Sequence, residues 1–327
     1  MENSSHNYSG HNRRYAILGT GAVGGYYGAC LQRSGCDVHF LARSDYDHIC
    51  HHGLMVESPD GNFSLSPVNV YASVATMPRC DVIVVALKTT QNHLLPELLP
   101  PLLDTCSTVI LLQNGLEAET FVASIVGDRH RVMGGLCFIC SNKMGPGHIR
   151  HVDYKAIAIG EYAPDYVPVG ISDTLEAIAQ DFEAAGVPII RSDDLLQARW
   201  QKLLWNIPFN GLSVVLNATT DQMIDHPEVR QLAESLIQEV RAIASAYGRV
   251  IDDQYINTML EQTEKMEPYR TSMKIDYDCD RPLEVEALFG TPLNAGRSKG
   301  VFSPKLEMLY QQLIFLDQVR SLSVSGT

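Results

Sequence analysis

The sequence lacks the features of membrane, secreted and nucleic-acid-binding proteins. It has no run of 18 apolar residues, the length that a membrane-spanning helix needs. Its polar first residues have no apolar segment of the kind that marks a signal peptide. Basic residues are scarce, and the net charge of -13 argues against a nucleic-acid partner. We therefore expect a cytoplasmic protein with no membrane or nucleic-acid partner, beginning with a disordered leader over residues 1–13.

Cysteine is present, but without the spacing of a disulfide framework or a metal site. The 8 cysteines are scattered, and in a non-secreted chain of this size we expect reduced thiols. Cys137 and Cys140 form one CxxC pair, which no second CxxC or nearby histidine pair completes as a zinc site. The sequence therefore predicts no metal and assigns no role to this pair.

Apolar periodicity predicts an α/β fold with two domains. Up to residue 192, runs rich in Val, Ile and Leu alternate with helical patterns, as in a parallel sheet covered on both faces. Beyond it the strand signal stops. We predict a Rossmann-type doubly wound sheet over residues 14–192, followed by an all-helical domain over residues 193–327. The predicted strands are 15–18, 37–41, 82–87, 108–112, 132–134, 156–160 and 188–190. The predicted helices are 23–34, 175–185, 195–216, 228–247, 252–265 and 304–318.

A glycine-rich loop lies between the first predicted strand and the first predicted helix. The run Gly19-Thr-Gly-Ala-Val-Gly24 has the GxGxxG spacing of dinucleotide-binding loops. Gly19 permits the tight turn, Gly21 lets the backbone approach a pyrophosphate, and Gly24 allows close packing of helix on strand. Ala22 and Val23 complete the run at the helix N-terminus, which faces the phosphates. This context predicts a dinucleotide site.

The end of the second predicted strand favours NADP over NAD. NAD sites place Asp or Glu there, about 20 residues beyond the glycines, to bind the ribose hydroxyls. Here Asp37 stands at the start of the strand, and Arg43 follows its end. The planar guanidinium of Arg43 can pair with a 2′-phosphate, although a plain surface arginine is the alternative. Lys88 and Asn114 follow two later strands at this edge, as cofactor contacts or as ordinary loop residues.

A row of polar residues crosses an apolar helical segment of the second domain. Lys202, Asn206 and Asn210 follow one another at intervals of four, so they lie on nearly one helix face. Polar groups among so many apolar neighbours need partners or a ligand. Pro208 interrupts the row and removes one helix hydrogen bond, which predicts a kink. The row is typical of the wall of a site for a small carboxylate-bearing molecule.

Reduction of a ketone gives these residues a chemical task. A hydride arriving at the carbon leaves negative charge on oxygen, which needs a cation or an acid. Lys202 can stabilise that oxygen and supply the proton, and a snorkelling surface lysine is the alternative. Glu284 can hold Lys202 or a ribose hydroxyl, or it can be a plain surface carboxylate. Arg270 is a candidate partner for the substrate carboxylate.

Together these residues resemble the ketopantoate reductase (2-dehydropantoate 2-reductase) family over residues 14–320. The shared marks are Gly19-Thr-Gly-Ala-Val-Gly24, Leu87-Lys88, Gln113-Asn114-Gly115, Pro146-Gly147, the row of Lys202, Asn206 and Asn210, and Arg281-Pro-Leu-Glu284. The resemblance implies a Rossmann domain followed by a helical one. It also implies reduction of ketopantoate with NADPH to (R)-pantoate, a step towards pantothenate, with the substrate in the cleft between the domains.

The resemblance also implies a role for each matching position. Lys202 matches the catalytic lysine and proton donor, and Asn206 and Asn210 match substrate-binding amides. Ser272 matches a serine near the substrate carboxylate, and Glu284 matches an acid that positions cofactor and substrate. Lys88 and Asn114 match residues near the NADPH.

Two departures from the family pattern leave the substrate open. Thr220 stands where some members carry a further substrate-binding asparagine, and the run after Glu284 is more apolar than usual. A reductase of another 2-oxo acid is therefore the first alternative. A non-catalytic NADP-binding sensor and a 3-hydroxy acid or opine-type dehydrogenase are the others. Amphipathic helices in the second domain are compatible with a homodimer or with that domain's own core.

Overall fold

The computed structural model describes residues 13–325, which divide into two compact units. Unit 1 comprises residues 13–113 and 118–195, and unit 2 comprises residues 114–117 and 196–325. The predicted division follows residue 192 and does not include the short segment 114–117 in the second domain. The predicted leader lies outside the described residues except for Arg13. That residue donates to Asp181 at 2.7 Å and so belongs with unit 1.

Unit 1 is built on one sheet, which has ten strands in the described part of the chain. Their order is β4-β3-β9-β8-β7-β6-β1-β2-β5, and β10 pairs with the other end of β9. The strands are β1 (Arg14–Leu18), β2 (Asp37–Leu41), β3 (Leu54–Glu57), β4 (Phe63–Leu65), β5 (Asn69–Tyr71), β6 (Cys80–Val85), β7 (Leu103–Leu111), β8 (Arg131–Gly145), β9 (His148–Glu161) and β10 (Ile189–Ser192). The helices of this unit are α1 (Ala22–Arg33), α2 (Tyr46–His52), α3 (Leu95–Leu98), α4 (Ala118–Val126) and α5 (Asp173–Ala184).

Both faces of the central strands are buried, as the continuous apolar runs predict. Tyr15 and Ile17 of β1 join one hydrophobic cluster, whereas Ala16 and Leu18 join the cluster on the other face. This alternation follows from the two-residue period of a strand. The predicted α/β class and the doubly wound arrangement are confirmed.

The prediction of parallel strands is wrong at one end of the sheet. β8 and β9 form a long antiparallel hairpin, and β3 pairs antiparallel with β4. The predicted strands 132–134 and 156–160 are only the buried parts of β8 and β9. The rest of the hairpin carries polar residues such as Asn142 and Lys143, so its apolar pattern fades. The short strands β3, β4 and β5 lack a long apolar run for the same reason.

The regular secondary structure of unit 2 is entirely helical in its described residues. Its helices are α6 (Leu195–Val215), α7 (Thr220–Asp225), α8 (Pro227–Ala246), α9 (Asp253–Lys265), α10 (Ser272–Asp278), α11 (Thr291–Ser298) and α12 (Pro304–Ser325), with one π-helical turn at Glu286–Gly290. Helix α6 continues through Pro208 to its end at Val215. No helix within residues 13–325 combines the length and the apolar character needed to cross a membrane.

Candidate active site

The glycine loop of unit 1 is shaped by close backbone contacts. Gly19 has φ +101°, and a Cβ there would lie 2.9 Å from the backbone carbon of Ala86. A Cβ on Gly24 would lie 2.2 Å from the carbonyl oxygen of Gly19. A Cβ on Gly21, in contrast, would have no neighbour within 4 Å. Gly19 and Gly24 are therefore required by the fold, whereas the surroundings of Gly21 leave room for a ligand to approach the backbone.

The N-terminus of α1 suits an anion. Its first turn contains no acidic residue, and Gly21 at the N-cap supplies no side-chain cap. The first N–H groups of a helix, here those of Ala22 and Val23, have no partner within the helix and carry its positive end. Together with the open surroundings of Gly21, this end of the helix fits the pyrophosphate of a dinucleotide.

The loop after β2 favours a 2′-phosphate over free ribose hydroxyls. Arg43 is exposed, and its guanidinium forms no ion pair within residues 13–320. The nearest following acid, Asp45, is only 4% exposed. Its oxygens accept from Ser44 Oγ at 2.9 Å, Lys143 Nζ at 2.7 Å and Gly147 N at 3.1 Å. Burial opposes ionisation, but these donors hold the pKa of Asp45 below its usual value. Asp45 is thus committed to the protein, and Arg43 is not.

The two remaining predicted cofactor residues fall in different units. Lys88 is exposed in unit 1, where it precedes a 3₁₀ turn at Thr89–Leu94 after β6. Asn114 belongs to unit 2, together with Gly115, which has φ +91°. A Cβ on Gly115 would lie 2.4 Å from the carbonyl oxygen of Ala287, so only glycine fits there. This close approach brings Asn114 to the segment that follows Glu284.

The polar row of α6 is buried at its two amides. Asn206 and Asn210 are 5% and 3% exposed, and Asn210 Nδ2 donates to Asn206 Oδ1 at 3.3 Å. Asn210 Oδ1 also accepts from the backbone N–H of Met273 at 3.4 Å. The amide nitrogen of Asn206 has no acceptor among the residues that the structure describes. Lys202, one turn earlier, is half-buried. The side chain of Asn210 is therefore fixed by two hydrogen bonds, whereas the amide nitrogen of Asn206 is available to donate to a ligand.

Glu284 is buried at the end of a braced loop. Glu284 is only 6% exposed. The preceding residue, Leu283, donates its N–H to Asp317 Oδ1 of α12 at 3.1 Å. Beyond Glu284 comes the π-helical turn, in which Ala287 O accepts from Leu116 N at 3.4 Å. Asp317 was not predicted, because nothing in the local sequence marks a partner so far along the chain.

Arg270 and Ser272 are the exposed members of the predicted substrate-binding set. Arg270 is 66% exposed and lies 3.5 Å from Asp278. Between the two residues, Thr271 is fully buried and fixes the segment. Its hydroxyl accepts from Lys274 N at 3.2 Å and contacts Ser213 Oγ of α6 at 2.8 Å. Thr271 therefore ties the segment of Arg270 and Ser272 to the helix that carries the polar row, a role that its sequence position alone did not reveal.

Thr220 has a structural role, so its identity does not indicate which substrate binds. Its side chain is fully buried, and its hydroxyl accepts from the N–H of Tyr269 at 3.2 Å. The Thr220 N–H in turn donates to the carbonyl of Tyr269 at 3.1 Å. These two bonds pin the chain just before Arg270.

We expect Thr220→Val to destabilise the protein without changing its choice of substrate. The change leaves the Tyr269 N–H without its acceptor, which costs about 1–3 kcal/mol. Thr220→Ser keeps the hydroxyl and serves as the control. Urea unfolding measures the stability, and kcat/KM for two 2-oxo acids measures the preference. A shifted preference in Thr220→Val would contradict the structural assignment.

Comparison with known proteins gives a consistent family likeness over both units. The family model described as "Ketopantoate reductase PanE/ApbA" matches residues 15–164, and the model of its C-terminal part matches residues 194–317. A 2-dehydropantoate 2-reductase of Nostoc sp. is 57% identical over 305 residues, which covers 93% of this chain and 95% of that protein.

Solved structures show the same likeness. The crystal structure of 2-dehydropantoate 2-reductase from Geobacter metallireducens has a TM-score of 0.87 and 42% sequence identity, covering 92% of this chain and 98% of that one. A ternary structure of D-mandelate dehydrogenase with NADH and anilino(oxo)acetate has a TM-score of 0.84 at 18% identity, covering 94% and 99%. At this low identity the second likeness shows a shared fold alone, so the fold by itself does not decide the substrate.

Proposed function

The chain belongs to the ketopantoate reductase family, and on that premise we propose that it reduces 2-dehydropantoate to (R)-pantoate with NADPH, in pantothenate biosynthesis. The likeness to the Nostoc reductase along nearly the whole chain carries this proposal. The polar row of Lys202, Asn206 and Asn210 supports it independently, because a reductase of a small keto acid needs such groups and a non-catalytic sensor does not. The same row would be unexplained in a 3-hydroxy acid or opine-type dehydrogenase.

NADPH, which supplies the hydride when bound, is proposed to be held by unit 1. Gly19, Gly21 and Gly24 shape the loop, and the N–H groups of Ala22 and Val23 offer donors to the pyrophosphate. Arg43 is proposed to pair with the 2′-phosphate, because its guanidinium is exposed and uncommitted to any described acid. Lys88 and Asn114 are proposed as further cofactor contacts.

Lys202 is proposed as the proton donor. When the ketone is reduced, its oxygen gains negative charge, and an ammonium group next to it stabilises that charge and then transfers a proton. The half-buried position of Lys202 on α6 supports this role, since partial removal from water strengthens its interaction with the developing alkoxide. Glu284 is proposed to orient Lys202 or a ribose hydroxyl from its buried position.

The amides and the neighbouring segment are proposed to bind the substrate. Asn206 offers an N–H donor in a buried setting, where hydrogen bonds to an anion are strong. Asn210, whose oxygen is engaged by Met273 N, holds Asn206 in place and completes the wall. Ser272 and the exposed Arg270 are proposed to bind the substrate carboxylate, for which an arginine is well suited.

A reductase of a different 2-oxo acid is the second candidate. The turn after Glu284 places the small side chain of Ala287 against Gly115, within the run that is more apolar than the family pattern. This difference changes the surroundings of Asn114 and Glu284 without removing any group that the reaction needs. It favours a relative with the same mechanism and an altered substrate pocket.

Turnover of a substrate panel tests the proposed function. Purified protein is mixed with NADPH and 2-dehydropantoate, 2-oxoisovalerate, pyruvate or phenylglyoxylate, and the absorbance of NADPH is followed. We expect the highest kcat/KM with 2-dehydropantoate. A higher value for another acid would establish the second candidate, and tight NADPH binding without turnover of any keto acid would contradict both.

We also propose that the enzyme works in the cytoplasm on a free small-molecule acid and that it forms a homodimer. Three exposed apolar side chains of α12, those of Met308, Phe315 and Val319, recur at helical spacing and support self-association. Sedimentation analysis distinguishes a monomer of 36.2 kDa from the dimer.

A further inference from the structure

The β8–β9 hairpin lies across the first turn of α1, next to the glycine loop. Ser141 Oγ of β8 donates to the carbonyl of Ala22 at 3.1 Å. From β9, Ile149 packs so closely that its Cδ1 would lie 2.4 Å from a Cβ on Gly25. The hairpin therefore forms one side of the region in which unit 1 is proposed to hold the dinucleotide phosphates.

Lys143 of this hairpin reaches the loop that follows β2. It lies two residues after Ser141 in a regularly paired part of β8, so the two side chains share one face of the strand. Its Nζ lies 2.7 Å from Asp45 Oδ1, and Ser44 Oγ lies 2.9 Å from the same oxygen. The ammonium group and Ser44 Oγ are thus within two hydrogen-bond lengths of each other, and Ser44 is the residue that follows Arg43.

The pairing with Asp45 leaves most of the donor capacity of Lys143 unused. An ammonium group has three N–H donors, and one of them serves Asp45. The others have no acceptor among the described residues, and the side chain is 35% exposed. Asp45, by contrast, is buried and also accepts from Gly147 N. A buried carboxylate that anchors a partly exposed lysine holds a flexible cation in one place.

We propose that Lys143 is a second cation for the 2′-phosphate of NADPH, held beside Ser44 and Arg43 by Asp45. The inference rests on the proposed use of NADPH. A phosphate monoester carries about -1.5 to -2 charges at neutral pH, so the single charge of Arg43 does not balance it. Lys143 supplies further positive charge and N–H donors at the adjoining position. Asp45 acts as a positioning residue, because its oxygens are taken by protein donors.

This assignment also gives a task to Pro146-Gly147, one of the shared family marks. Gly147 has φ +62°, and a Cβ there would lie 2.8 Å from the carbonyl oxygen of Gly53. Its N–H donates to Asp45 Oδ2, and its carbonyl accepts from Met55 N at 2.8 Å. The turn thus fixes the carboxylate that fixes Lys143, so the motif belongs to the proposed phosphate site.

Calorimetric titration with nucleotide fragments tests the role of Lys143 without any turnover. Adenosine 2′,5′-bisphosphate carries the 2′-phosphate, and AMP differs from it only in lacking that phosphate. We expect Lys143→Gln to weaken binding of the bisphosphate roughly 10-fold, as the loss of one charge-assisted hydrogen bond predicts. Binding of AMP should change less than about twofold, and Lys143→Arg should restore most of the affinity for the bisphosphate. Lys155→Gln is the matched control, because Lys155 is a β9 lysine paired with Asp60 at 2.6 Å.

Each outcome of the titration separates the inference from the function on which it rests. Equal losses for both fragments, or no loss for either, would overturn the role of Lys143. A lower unfolding temperature with an unchanged ratio of the two affinities would also overturn it, since that pattern marks a purely structural ion pair. If the unaltered protein and Arg43→Ala bind the two fragments equally well, the proposed preference for NADPH itself is wrong.

Discussion

Replacing Lys202 by methionine is expected to lower kcat for 2-dehydropantoate by about 100- to 10,000-fold, the range typical for loss of a positioned proton donor. Methionine keeps the length and much of the apolar stem of the half-buried lysine on α6, so the packing of the helix should persist. What is lost is the ammonium group that stabilises the new alkoxide and supplies its proton. Because this group acts chiefly on the transition state, kcat should fall much more than the affinity for NADPH.

Three measurements separate catalysis by Lys202 from a structural effect. NADPH binding, followed by fluorescence, should stay within about twofold of the unaltered protein, as expected for a group that acts in the transition state. Lys265→Met is the matched control, because that lysine is 77% exposed in the same unit and should leave kcat unchanged. Lys202→Arg retains the positive charge but is a poor proton donor, so it should recover little activity. Full activity in Lys202→Met would remove Lys202 from the mechanism.

Those parts of the fold that depend on burial alone could be predicted from the sequence. Strands β1, β2, β6 and β7 each end in a stretch of four or five buried, mostly apolar residues that stands out from its neighbours in the sequence. The long helices of unit 2 repeat their apolar residues at helical spacing for the same reason. Such patterns are local, so they can be identified without knowledge of partners far along the chain.

Features that depend on partners far along the chain could not be predicted in the same way. The hairpin of β8 and β9 is held partly by contacts with α1, such as Ser141 to Ala22, which are 119 residues apart. Asp45 and Lys143 are separated by 98 residues, so neither suggests the other. The family pattern makes Thr220 a hint to the substrate, whereas its hydrogen-bond partner Tyr269 lies 49 residues away and is not evident from the sequence. Spacing within one helix revealed the polar row, but the meaning of single polar residues depends on the fold.

The second large effect is expected in the glycine loop, where Gly21 is needed for the ligand and Gly24 is needed for the fold. We expect Gly21→Ala to weaken NADPH binding by roughly 10- to 100-fold, the equivalent of one charge-assisted hydrogen bond to the pyrophosphate. The new methyl group would stand in open space, so it meets no protein atom, but it would keep the pyrophosphate from the backbone. Stability without NADPH should fall by no more than about 1 kcal/mol, the usual cost of alanine at an N-cap.

Gly24→Ala should show the opposite pattern. Its methyl carbon would lie 2.2 Å from the carbonyl oxygen of Gly19 and 2.8 Å from the Cβ of Ala86, so the backbone must move. Overpacking of this kind costs about 1–3 kcal/mol or more, and it should lower the unfolding temperature even without NADPH. Gly145→Ala, another alanine placed in open space, should change neither property. Thermal unfolding with and without NADPH, together with fluorescence titration, measures both quantities for all three variants. If Gly21→Ala binds NADPH as tightly as the unaltered protein, the pyrophosphate does not approach the loop at Gly21.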